Sequence, residues 1–205
     1  MKIINPHFII ESHIDGDYIL QQIEKAGRTA YKSEDKITSD SAKDFVSQIC
    51  KREHFSVIEH QFVTVRIICD RGVSHEIVRH RLASYTQEST RYCNYAKGKF
   101  GNEITVIKPC FWTDNDEKYI VWKQSIEQAE IAYNKLIELG ASPQEARSIL
   151  PNSLKTEIVM TMNLREWLHF FQLRTSNSAH PQMREIAVPL FNEFCKKIPV
   201  IFDKL

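Results

Sequence analysis

Glycine is scarce in this 205-residue chain, with six in all, and in the one place where two fall close together, Gly98-Lys99-Phe100-Gly101, the spacing fits neither a dinucleotide fingerprint nor a phosphate loop. Any nucleotide must be held by side chains instead of a glycine-rich turn. The five cysteines (Cys50, Cys69, Cys93, Cys110 and Cys195) are odd in number, widely spaced and contain no Cys-x-x-Cys. A disulfide scaffold and a thiolate zinc site are therefore not indicated, and a reducing compartment fits best. No hydrophobic run approaches membrane-spanning length, and Met1-Lys2-Ile3-Ile4-Asn5 reaches Pro6 and His7 before any signal-like segment develops, so a cytoplasmic protein is expected. Charge of one sign is also lacking. Lys and Arg total 27 against 26 for Asp and Glu, leaving +1, which gives no reason to expect nucleic acid or membrane as partner. Without a repeat, low-complexity tract or linker, residues 1–205 read as a single domain.

What is present is enough apolar material for a core, 42% hydrophobic and 10% aromatic. The pattern is mixed α/β. Asp17 to Ala26 has helical spacing, with Gly27 as its C-terminal residue. A second helix is expected from Ser41, whose spacing to Asp44 resembles a capping box, with Phe45 and Ile49 as its apolar stripe. Gln61 to Cys69, rich in Val and Ile, suggests a buried strand; Asp70-Arg71-Gly72 turns the chain, and Ser74 is placed to cap a helix running through Arg81. Glu103 to Lys108 reads as a short strand. The longest helical pattern, Asp114 to Leu139, carries Ile126, Tyr133, Leu136 and Ile137 on one side and Gly140 after its end. Ser142-Pro143-Gln144-Glu145 places a cap, a first-turn proline and a box glutamate ahead of Arg147, and Pro151 ends that helix. Leu154 to Met162 suits a strand and a buried helix equally. Asn163 is placed to cap a helix bearing Arg165, His169 and Arg174, and Pro181 to Lys197 is a last amphipathic pattern that Pro189 should kink or interrupt.

The chemistry gathers in one stretch. Arg79-His80-Arg81 is followed by Gln87, Ser89 and Arg91; guanidinium forks hold phosphate bidentately, and Gln and Ser add neutral groups that can read a base or sugar. On residue types alone, a nucleotide site and a solvated basic face remain alternatives.

Arg79-His80-Arg81, seven residues and then Ser89, with Ser84-Tyr85 and Arg91-Tyr92 flanking, resembles the signature of flavin-dependent thymidylate synthases. Glu59-His60, Arg147 ahead of Leu150-Pro151, Asn163-Leu164-Arg165 and Leu173-Arg174 extend the likeness from about residue 50 to residue 195. The resemblance implies a central, largely antiparallel sheet flanked by helices, in a homotetramer with interfacial active sites that bind FAD, dUMP, methylenetetrahydrofolate and NADPH. It implies FAD contacts at Ser56, Arg79, His80, Arg81, Gln87, Asn163, Leu164, Arg165 and His169. For dUMP it implies Glu76, Ile77, Val78, Arg79, Gln87, Glu88, Ser89, Thr90, Arg91, Arg147 and Arg174. In that family reduced flavin supplies the hydride and relays the methylene carbon, so the protein mainly positions reactants. Methylation at C5 of uracil needs electron density there, and a guanidinium at the pyrimidine edge stabilises the N3 anion; Arg174 is the residue expected to do so.

Three positions depart from the family pattern: Glu76 where Gln is frequent, Gln87 where others have Glu, and His169 where Asn is common. Ser89 lacks Gly-x-Ser-x-Gly context and an acid-His partner, so it reads as a ligand contact and not a nucleophile. Pro109-Cys110 evokes the cysteine of the unrelated folate-only synthases, but the rest of that pattern is missing. His75 and His80, five residues apart, would lie about 140° apart on one helix, so no metal site is expected. His54 lies near the flavin segment and is a secondary candidate. A non-catalytic nucleotide- or RNA-binding module is the rival reading, and a catalytically dead relative a third.

Overall fold

The computed structural model describes residues 1–98 and 101–203, which leaves Lys99 and Phe100 of the glycine-flanked segment outside the described residues. In chain order the elements are β1 (Lys2–Ile4), β2 (His7–Ile10), α1 (Gly16–Arg28), α2 (Ser41–Lys51), β3 (Phe62–Asp70), α3 (Arg71–Ile77), β4 (Ala83–Gln87), β5 (Thr105–Ile107), α4 (Glu117–Glu138), α5 (Pro143–Ala146), β6 (Lys155–Asn163), α6 (Leu164–Arg174), α7 (Pro181–Lys197) and α8 (Pro199–Phe202). Short 3-10 turns join several of them. None of the described helices is long and apolar enough to cross a membrane.

Four strands form a sheet in the order β2-β3-β6-β4, and β1 pairs in parallel with β5. The Gln61 carbonyl accepts from the Leu164 N–H while Arg71 N–H donates to the Leu154 carbonyl, so β3 and β6 run antiparallel, as expected. The ambiguous segment 154–162 is a strand because its burial alternates strictly, with Thr156, Ile158, Met160 and Met162 inside.

The chain divides into two compact units. The first comprises Met1–His7, Ile67–Arg79 and Thr86–Ile158; the second comprises Phe8–Arg66, His80–Tyr85 and Val159–Leu205. The first has a core of Tyr95, Ile104, Val106, Ile126, Tyr133, Ala146 and Leu154, which α4 covers with the face its periodicity predicted. The second is built around aromatics: Trp167 stacks on Phe171 with centroids 5.5 Å apart, and Phe194 lies 5.0 Å from each of them.

Several local expectations are corrected. Gly27 lies inside α1, not at its end; a Cβ there would come within 2.7 Å of the Phe45 ring, so the glycine lets α1 and α2 approach. Ser41 is already in the first turn of α2, where its hydroxyl donates to the buried Glu24 carboxylate, and Ala42 and Val46 make the buried stripe. Asp70, not Ser74, caps α3 by accepting from Val73 N–H at 2.7 Å, and the helix stops at Ile77. Arg79, His80 and Arg81 therefore follow the helix instead of riding on it. Pro189 is accommodated within α7, which runs uninterrupted. Elsewhere the caps are as read: Gly140 follows α4 at φ 92°, Glu145 closes a box on Ser142, and Asn163 Oδ1 accepts from Glu166 N–H at 2.8 Å.

Candidate functional site

In the second unit α6 sets the geometry. Its Leu164, Trp167, Phe170 and Phe171 are buried, with Trp167 Nε1 donating to the Val63 carbonyl at 3.1 Å, so Arg165 and His169 are left outside. Arg165 donates to Glu59 at 2.6 Å and remains exposed. Ser56 is exposed on the turn Phe55–His60, just after the exposed His54.

His80 is the centre of this group. It is 6% exposed, its ring meets Phe170 edge-on at 4.9 Å and lies 6.0 Å from His169, and its Nε2 accepts from Arg174 Nε at 2.9 Å. Because Nε2 accepts, the ring proton sits on Nδ1. Burial, then the Arg174 charge, then His169 push its pKa down to about 4. The imidazole is neutral at pH 7 and acts as an acceptor that fixes the arginine. Its backbone carbonyl accepts from the Tyr85 hydroxyl at 2.7 Å; burial, then Glu166, raise that phenol to about 12, so it stays protonated. The ligand atoms of His80, Glu166 and His169 lie within 4.8 Å of one another, a spacing a metal ion can use. The guanidinium already bonded to His80 Nε2 opposes a cation there. The helical-angle argument over His75 and His80 lapses, since His80 is not on α3.

The first unit carries a separate group of polar residues. Ser74, fully buried, donates to the Arg71 carbonyl at 2.9 Å and accepts from Gln87 Nε2 at 2.9 Å, and Gln87 Nε2 also donates to Thr156 Oγ1 at 3.1 Å. Ser89 Oγ accepts from Arg91 N–H at 3.3 Å. Arg147 donates to the buried Thr90 at 3.3 Å and keeps an exposed guanidinium, while Arg91, also exposed, lies over the Tyr92 ring. Glu88 is committed inward, accepting from Tyr95 at 3.0 Å and Lys155 at 2.9 Å. Burial, with Glu88 adjacent, pushes the Tyr95 phenol above its ordinary range.

Of the expected flavin residues, Ser56, His80, Arg81, Asn163, Leu164, Arg165 and His169 belong to the second unit and Arg79 and Gln87 to the first. The expected dUMP residues all belong to the first unit except Arg174. Ile77 and Leu164 are buried side chains, so only their backbones can serve a ligand, and the Leu164 N–H is already taken by Gln61. Arg79, Val78 and Arg81 are exposed and Glu76 is half-buried. Cys110 sits in an exposed turn after β5. Ser74, Thr156, Glu59 and Tyr85 were not singled out as site residues; Ser74 read as a cap and Thr156 lay in the ambiguous segment.

A model of the family described as thymidylate synthase complementing protein matches residues 17–200. A flavin-dependent thymidylate synthase of Pyrococcus abyssi is 36% identical over 167 residues, covering 81% of this chain and 68% of that protein. One from Mycolicibacterium gilvum is 31% identical over 212 residues, covering 95% and 82%. The chain belongs to the flavin-dependent thymidylate synthase family. A UMP/dUMP methylase, PolB from Streptomyces cacaoi, bound with 5-Br dUMP, shares its fold, with a TM-score of 0.80 over 99% of this chain and 96% of that one at 21% identity. Membership in the flavin-dependent thymidylate synthases favours an enzyme and gives nothing to the rival of a non-catalytic nucleotide- or RNA-binding module.

Proposed function

We propose that this chain converts dUMP to dTMP by reductive methylation, with methylenetetrahydrofolate as carbon donor and NADPH as reductant of FAD, as a cytoplasmic homotetramer with sites shared between subunits. The observation that carries the mechanism is the 2.9 Å bond from Arg174 to a buried, neutral His80. Because His80 is uncharged, this bond orients the guanidinium without itself neutralising it, as a carboxylate in its place would. Arg174 in this position stabilises negative charge on N3 of the uracil, which raises electron density at C5.

The donor set fits the groups it must hold. The exposed guanidiniums of Arg79, Arg91 and Arg147 suit the nucleotide phosphate, and Ser89 suits its sugar or base. Asn163 at the cap of α6 and Arg165 and His169 on that helix, with Ser56 and Arg81, offer donors without a glycine-rich turn, in line with the glycine-poor sequence. When bound, flavin supplies the hydride and carries the one-carbon unit; the residues here bind and orient. Glu88 contributes by holding Lys155 and Tyr95 in place, and a dUMP contact at this position would come from its backbone.

The test is dUMP-dependent oxidation of NADPH by the purified protein with added FAD and methylenetetrahydrofolate, with dTMP as product. Arg174→Ala should lower kcat by about 10²–10³, the range for loss of one preorganised charge-stabilising donor. A variant that methylates dUMP as fast as the parent rules out this role for Arg174.

A further inference from the structure

Three metal-ligating side chains meet in the second unit, with the ligand atoms of His80, Glu166 and His169 within 4.8 Å of one another. Glu166 and His169 stand three residues apart on α6 and so project from one face of that helix, while His80 comes from the stretch between α3 and β4. Among the described residues, neither helical side chain is committed elsewhere. The Glu166 carboxylate makes no ion pair or hydrogen bond, although its backbone N–H is held by Asn163, and the exposed His169 ring meets only the His80 ring.

Ligand atoms bonded to zinc at about 2.1 Å sit roughly 3.4 Å apart, a separation that rotation of the half-buried Glu166 and exposed His169 side chains can reach. Two imidazoles and one carboxylate suit a first-row transition dication and not Mg²⁺ or Ca²⁺. The guanidinium on His80 makes such a site conditional. If Nε2 takes the ion, it can no longer accept from Arg174. If Nδ1 takes the ion, the ring proton moves to Nε2, which then becomes a donor facing the Arg174 N–H. Metal and the bond from Arg174 exclude each other in either case.

We propose that His80, Glu166 and His169 form a zinc-class site whose occupation takes His80 away from Arg174. Binding stands on this geometry alone; that bound metal stops turnover rests on the role proposed above for Arg174.

The experiment is calorimetric titration of ZnCl₂ into the full chain, for the parent, Glu166→Gln, His169→Asn and Arg174→Ala, with thermal melts establishing that each variant folds. The parent should take up one zinc per chain, and MgCl₂ should give no binding. Glu166→Gln and His169→Asn should each weaken zinc by about tenfold or more. Arg174→Ala should tighten it by about tenfold, because no hydrogen bond then competes for His80. Zinc uptake indifferent to Glu166→Gln and His169→Asn, or an affinity that Arg174→Ala leaves unchanged, overturns the proposal. Zinc bound with the expected pattern across the variants, but leaving dUMP-dependent NADPH oxidation at its metal-free rate, would instead count against the role given to Arg174.

Discussion

At the scale of single residues, the pairing of His80 with Arg174 has consequences that separate steering from bulk. His80→Ala removes the acceptor and should lower kcat by about tenfold or more, whereas His80→Gln, which keeps an acceptor for Arg174, should recover most of it. Equal losses in the two variants would show that the imidazole matters for packing or flavin contact alone, and FAD affinity measured alongside tells these apart. The same group governs acid stability. Its folded pKa of about 4 lies below the ordinary value of 6.5, so between these values the unfolded chain binds the extra proton. Stability therefore rises with pH through this window and is lost as pH falls, and the thermal midpoint of the parent should climb more steeply from pH 4.5 to 7 than that of His80→Gln. None of this was legible in the sequence. The two residues are 94 positions apart, and residue types allow a basic cluster to be named without saying which member is neutral.

At the scale of elements, some polar caps were readable, because a cap is a local hydrogen bond written in three or four residues, while those expected at Ser41 and Ser74 were not. Asn163 with Glu166 and Ser142 with Glu145 are the readable examples. Interior glycine was misread for the opposite reason: what Gly27 must avoid is Phe45, eighteen residues on and in another helix. Gly27→Ala should destabilise the fold by about 1–3 kcal/mol, as overpacking does, and lower the melting temperature by several degrees. An unchanged melting curve would mean that α2 shifts freely. Strand β4 went unseen because Ala83-Ser84-Tyr85-Thr86-Gln87 has little hydrophobic alternation. Leu82, just before it, has φ 60° and is 80% exposed, a backbone state that leucine adopts at a cost of about 1–2 kcal/mol.

At the scale of the whole molecule, composition was a good guide to the mixed α/β class and a poor one to the two compact units. Unit boundaries fall inside β3 and β6 and between Arg79 and His80, where no linker marks them. Neither unit is a continuous piece of chain. Assembly is also testable at this scale. Ile120, Val121 and Ile131 on α4 are exposed apolar residues, as are Phe62 and Ile9. Light scattering should give about 96 kDa, four times the 24.0 kDa of the chain; a stable 24 kDa species with full activity would rule out sites shared between subunits.

The bonds that hold Gln87 also fix what it can offer a ligand. Ser74 spends its single hydrogen on the Arg71 carbonyl, so it can only receive from Gln87, and the second amide hydrogen goes to Thr156. What the side chain has left to offer is its carbonyl oxygen. Chemically it is a carboxylate stripped of its charge: the lone pairs are retained, and the repulsion that a second anion would exert on a phosphorylated substrate is gone.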